Sequence, residues 1–251
     1  MTIDFWDCNC SIGSPMRAIY KPASSADDLL ASMDRAGINK ALAWHIAQFD
    51  LSPQDGNLAL SDQVATSDRL VGCWAILPPV TGEIGLDGFF ERMKANRIVA
   101  LRAFPEQGRY LLNRVTLGPL LDEITARRIP LILSLERGVT WAAVHALLAE
   151  CPNLTCILCD IGIWGQDRYT WPLLDVYNNV YVETSYLALE AGGIAATVKR
   201  FGADRLLFGT GFPMRYPEAS MLPLLHADIA EEDKHKIASQ NLNRLIQEAR
   251  L

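Results

Sequence analysis

Asp160, Glu136, Glu183, Arg102 and His45 each stand near the C-terminal end of a short apolar run, a costly place for a charge unless it is used or paired. Asp160 closes the run Leu154 to Gly162, in phase with Cys156 and Leu158. Apolar surroundings would lift its carboxyl toward the range of a general acid or base; the competing reading is an N-cap or an ion pair with a loop arginine. Glu136 ends the run Ile129 to Glu136, in phase with Ser134, and is either a second proton-transfer group or a solvated residue before Gly138. His45, in Ala43-Trp44-His45, suits proton shuttling near neutral pH or a structural hydrogen bond. Arg102 can grip a carboxylate or phosphate with two prongs, or bridge the site as a salt bridge. Glu183 and Ser185 share a face, and Glu183 either serves a substrate or pairs with Arg102. Arg215, just past Gly211-Phe212-Pro213, offers an anion contact. Trp44, Trp74, Trp164 and Trp171 are candidates to wall a pocket or to pack in the core. No G-x-S-x-G, G-x-G-x-x-G or Walker A pattern is present, which removes the usual serine-hydrolase and nucleotide signatures.

The elements that must position these residues alternate along the chain. Strands are expected at Ile3 to Asn9, Lys40 to Ala47, Leu70 to Pro78, Ile98 to Pro105, Ile129 to Glu136, Leu154 to Gly162, Val180 to Tyr186 and Leu206 to Phe212. Helices are expected between them: Ser24-Ser25 to Arg35, from Gly56-Asn57, Phe89 to Ala95, Leu117 to Arg127, Trp141 to Glu150 and Ala195 to Phe201, with Glu231 to Ala238 and Asn241 to Ala249 closing the chain. Eight such units in 251 residues predict an α/β fold, a closed (β/α)8 barrel forming one domain over residues 1–251, with its site at the C-terminal ends of the strands.

Several segments carry a resemblance. Asp7-Cys8-Asn9-Cys10-Ser11-Ile12-Gly13 resembles the D-x-H-x-H-x-G first strand of the amidohydrolase-related, metal-dependent hydrolases. Asn178-Asn179-Val180-Tyr181-Val182-Glu183-Thr184-Ser185 is similar to their seventh strand, and Phe201 to Pro213 to their eighth. Asn241-Leu242-Asn243-Arg244-Leu245 is similar to their closing helix. The resemblance implies a barrel hydrolase or decarboxylase with divalent metal held by H-x-H, two further histidines and an aspartate. At those positions stand Asn9, Ser11, Ser134, Asp160 and Gly211. Only Asp160 is a good metal donor, so no metal and no other cofactor is expected. Cys8 and Cys10 would serve only after a one-residue slip; without it both thiols point outward beneath the helices.

The formal net charge is −6 and the sequence pI about 5.3, with no basic run, which argues against nucleic-acid and anionic-lipid partners. No apolar stretch approaches a membrane span and no signal peptide is evident, so a cytoplasmic protein is expected, its six cysteines reduced. Association between copies stays open. The resulting expectation is a metal-independent hydrolase of a lactone, ester or amide, or a decarboxylase, acting on a small anionic substrate. Asp160, Glu136 and His45 would move protons. Asn9, Ser11, Arg102, Ser134, Glu183 and Arg215 would hold substrate. The alternative is an inactive family member retained as a small-molecule binding or interaction protein.

Overall fold

The computed structural model describes residues 3–187 and 192–251. Eight parallel strands follow one another around a barrel in chain order: β1 (Phe5–Ile12), β2 (Ile38–His45), β3 (Leu70–Ala75), β4 (Ile98–Ala103), β5 (Leu131–Ser134), β6 (Cys156–Cys159), β7 (Val180–Glu183) and β8 (Leu206–Leu207). The barrel closes between its last and first strands. Cys8 N–H donates to Phe208 O (3.0 Å), Gly211 N–H to Asn9 O (2.7 Å) and Ser11 N–H to Phe212 O (2.8 Å). Asp7 ties the same seam, accepting from the backbone and hydroxyl of Thr210.

Helices cover the outside. The first six are α1 (Ala26–Ala36), the short α2 (Ala47–Asp50), α3 (Pro53–Val64), α4 (Phe89–Ala95), α5 (Arg114–Arg127) and α6 (Trp141–Glu150). They are followed by α7 (Asp167–Val176), α8 (Gly193–Phe201), α9 (Pro217–Leu225), α10 (Glu231–His235) and α11 (Asn241–Glu248). Ser25 caps α1 through a capping box with Asp28, and Gly37 ends it in the left-handed conformation. The expected start of α3 at Gly56-Asn57 is corrected: Ser52 accepts from Asp55 N–H and Pro53 opens the helix, a cap and a first-turn proline. α7 and α9 were not anticipated, since Pro172 and Pro223 interrupt their sequence patterns.

Alternation divides the strands between two cores. Leu42, Cys73, Ala100, Ile132, Ile157, Tyr181 and Leu207 pack inside the barrel with Cys8. Their neighbours, such as Ala41, Leu101, Leu131 and Leu158, pack outward with Leu29, Leu60 and Leu121 of the helices. β1 breaks this rhythm. Asp7 pairs with Ala41 but Cys10 with Ala43, so β1 carries one extra residue, a bulge. The bulge turns Cys8 inward while Cys10 stays outward, correcting the expectation that both thiols face the helices. The two sulfurs therefore lie on different faces. All six cysteines are free and buried. Among the described residues no helix is long and apolar enough to cross a membrane.

Candidate active site

At the C-terminal mouth of the barrel, Asn9, Ser11, Trp44, Glu136, Asp160 and Arg215 line a cavity of about 20 Å³ together with Arg137, Gly211, Phe212 and Met214. Asp160 is at its centre. Continued alternation would turn residue 160 toward the helices, with Cys156 and Leu158. Instead Asp160 adopts φ = 52°, a left-handed conformation that asparagine and aspartate tolerate better than most residues. That one residue swings its carboxylate inward. Ser134 Oγ donates to Oδ2 (2.6 Å), Arg215 Nη2 to Oδ1 (2.7 Å) and Asn9 Nδ2 to Oδ1 (3.2 Å).

The mouth is thus polar, which reverses the expected effect on Asp160. Burial pushes its carboxyl up, but the charge of Arg215, the Ser134 hydroxyl and the charge of Arg102 together hold it below its ordinary value. Of the two readings open for Asp160, the ion pair with a loop arginine is present. The one contemplated between Glu183 and Arg102 is not: Arg102 Nη2 donates to Asn9 Oδ1 (2.7 Å).

Arg215 reaches back from the β8–α9 loop. Its Nη2 also donates to Ser185 Oγ (3.1 Å) and its Nε to Thr210 O (3.2 Å). The guanidinium lies 4.6 Å from the Tyr186 ring centroid, and Nη1 is 3.8 Å from Glu136 Oε2. Burial disfavours its charge, but Asp160 and Glu183 more than offset this, so Arg215 stays protonated. Glu136 accepts a hydrogen bond from Tyr186 and keeps half of its side chain in solvent. Burial and the Asp160 charge raise its carboxyl above the ordinary glutamate value.

Glu183 lies behind this layer, fully buried, accepting from the backbone N–H of Ser185 (2.5 Å) and from its hydroxyl (2.8 Å). Burial and the Asp160 charge push it up to about 7 from 4.5, against the pull of Arg215 and Ser185. This shift has a pH signature. An acid whose folded pKa is raised stabilises the fold fully below its unfolded value, and that contribution is lost as pH rises through the folded value. Glu183→Gln mimics the protonated form. Relative to wild type it should therefore gain on the order of 3 kcal/mol between pH 4.5 and pH 8, read by urea unfolding. Parallel stability curves for the two proteins would refute the shift.

His45 is not brought into the mouth. It sits at the rim, where Nδ1 accepts from Ala47 N–H (3.2 Å), burial lowers its pKa, and its ring packs against Gly13. Ser134 is buried behind Asp160, and Ser11 joins the wall. Trp44 is the one of the four singled-out tryptophans that lines the mouth; Trp74 borders a different cleft, Trp164 is exposed and Trp171 packs on Phe201. Arg137 was missed. It follows Glu136 in the loop after β5, where charge pattern alone marks no inward direction.

Comparison with known proteins agrees with this architecture. A TIM-barrel protein from Bordetella bronchiseptica superposes with a TM-score of 0.73 at 17% identity, over 98% of this chain and 99% of the other. The 2,6-dihydroxybenzoate decarboxylase from Rhizobium gives a TM-score of 0.71 at 18% identity, over 98% and 99%. An Acinetobacter baumannii protein assigned as a 2-pyrone-4,6-dicarboxylic acid hydrolase gives 0.74 at 13%, over 98% and 100%. At these identities the likeness speaks for the fold. No curated protein sequence matches the chain. The amidohydrolase family profile matches residues 13–246, from the end of β1 into α11, and the chain belongs to that family.

Proposed function

We propose that the chain is a hydrolase or decarboxylase of small anionic molecules in which Arg215, rather than a divalent metal, supplies positive charge at the reacting centre. The family implies a metal, and the donor set here does not fit one. Asn9, Ser11 and Ser134 are neutral oxygen or amide groups, and Gly211 has no side chain. Asp160, the one strong donor, is already bonded to Ser134, Arg215 and Asn9. Among the described residues no three histidine, cysteine, aspartate or glutamate side chains gather as metal ligands, whereas zinc takes three or four such donors. One observation carries the reading. A Cβ at Gly211 would lie 2.1 Å from Arg215 Nη2, so the guanidinium occupies the space an acidic side chain at 211 would enter.

With Nη2 and Nε engaged, Arg215 has Nη1 to offer substrate, 3.8 Å from Glu136 Oε2 and in no hydrogen bond among the described residues. A carbonyl or carboxylate oxygen that accepts them is stabilised as negative charge builds on it. Glu136 is the proton carrier this geometry favours, being raised in pKa, at the wall and open to solvent. In hydrolysis it takes the proton of the attacking water; the scissile C–O or C–N bond then breaks and the leaving atom receives that proton. In decarboxylation it protonates the carbon that loses CO₂. Asp160 holds Arg215 in place. The two named neighbours bear on substrate choice, since dihydroxybenzoate and a pyrone dicarboxylic acid are both carboxylates. A cleft of about 300 Å³ shares Phe212, Met214 and Arg215 with the mouth and is also lined by Tyr20, Pro22 and Tyr216, which suits the body of such a molecule.

The test is a screen of lactones, esters and carboxylic acids in strong chelator. Turnover is expected to survive chelation and to fall about a hundredfold or more in Glu136→Gln. Activity abolished by chelator and restored by zinc or manganese would sink the reading. Ligand binding without turnover of any substrate would favour the inactive, binding-protein alternative.

A further inference from the structure

We infer that Arg137 and Trp44 at the mouth, with the buried Arg102 against the same indole, form a second site, a socket for an oxyanion, and that its ligand is a carboxylate group of the substrate. Arg102 is only 1% exposed, and among the described residues it makes no ion pair. Its hydrogen-bond partner is the neutral Asn9 amide oxygen, and its buried Nε has no partner. Its guanidinium carbon stands 4.9 Å from the Trp44 ring centroid and 6.0 Å from that of Phe104. Arg137 stands over the same indole at 5.4 Å and over Phe49 at 5.0 Å, again with no ion pair among the described residues. Burial first and the charge of Arg102 second pull its pKa down, while the charges of Asp160, Glu136 and Asp50 pull the other way.

Two arginines against one indole, neither in an ion pair among the described residues, is an unfavourable arrangement for a fold to keep for its own sake. Cation–π attraction offsets part of the cost and none of the repulsion. The neighbouring acids are engaged elsewhere. Asp160 is bonded to Arg215, Glu136 accepts from Tyr186, and Asp50 accepts from Met16 N–H at 2.8 Å. These acids act on the two arginines only at a distance, and a ligand anion would supply the direct partner that both lack. Two planar donor forks favour a planar carboxylate, which accepts in pairs. Trp44 and Arg137 line the mouth beside Asn9 and Ser11, so an anion seated there is next to the centre at Arg215. Calling the ligand the substrate rests on the function proposed above; the socket itself does not.

Isothermal titration and thermal unfolding of the full chain with benzoate, and separately with inorganic phosphate, test the socket in wild type, Arg137→Met and Arg102→Met. Benzoate is expected to bind wild type and to bind each variant about tenfold or more weakly. Ligand-free Arg137→Met should melt no lower than wild type, because its removal relieves like-charge repulsion. Phosphate bound with loss in the same two variants also supports the socket and would exchange carboxylate for phosphate as its ligand. The inference is overturned if neither anion binds wild type, or if Arg137→Met binds benzoate undiminished. It is equally overturned if that variant, without ligand, melts about 5 °C or more below wild type. Absence of turnover would count against the proposed function and leave these binding results standing.

Discussion

Arg215→Met should destabilise the protein by about 3 kcal/mol or more, because it strands a buried carboxylate. Asp160 would keep Ser134 and Asn9 and lose its one ion-paired partner among the described residues, with Glu183, a second acid, nearby. Both members of the pair are well buried, with side-chain exposures of 23% and 9%, so solvent screens little of the effect. Adding Asp160→Asn should restore much of the loss, since the amide has no charge left to strand. Catalysis should not recover with it: removing one preorganised donor to a developing oxyanion typically costs about a hundred- to a thousandfold. Arg215→Lys should recover little, because a single ammonium cannot reach Asp160, Ser185 and the Thr210 carbonyl as the guanidinium fork does. Urea unfolding of the single and double variants gives the coupling directly. A stable Arg215→Met protein at wild-type activity would remove Arg215 from the centre.

Gly211→Ala should act through the same guanidinium. The new Cβ would meet Arg215 at Nη2, Cζ and Nε, at 2.1, 2.6 and 2.7 Å. Residue 211 also has φ = 66°, where a side chain adds roughly 1–2 kcal/mol of strain. In wild type the substitution should therefore cost the backbone strain and most of the Arg215–Asp160 pair. In an Arg215→Met background only the backbone strain should remain. The difference between these two costs should exceed about 1.5 kcal/mol, the coupling expected of groups in contact. Equal costs in both backgrounds would mean that Gly211 serves its turn alone and leaves no particular place for the guanidinium.

The barrel was legible because apolar runs and helical periods alternate along the whole chain, and the structure places all eight strands at the expected runs. The strand ends were less legible. The run Leu206 to Phe212 holds only a two-residue strand; past it Gly211 turns left-handed, and the segment meets β1 through single hydrogen bonds and one isolated bridge at Phe212. The site was legible as a set of residues and much less as a set of orientations. Asp160 reaches the mouth through a left-handed turn and not through strand phase, and Cys8 and Cys10 are parted by a bulge. Neither local device is written in hydrophobic alternation. Arg215 was identified only as a loop cation; that it fills the space beside Gly211 depends on a return of the chain that spacing does not encode. Arg137 could have been suspected from its place beside Glu136 and an aromatic-rich mouth, but its approach to Trp44 is a tertiary fact.

The most direct test of the central claim is elemental analysis of the protein purified without added metal or chelator, joined to a crystal structure of the mouth. The account predicts far less than one equivalent of any divalent transition metal per chain, and density for the Arg215 guanidinium between Asp160, Ser185 and Gly211. A near-stoichiometric metal, coordinated at the mouth with Arg215 displaced, would contradict it.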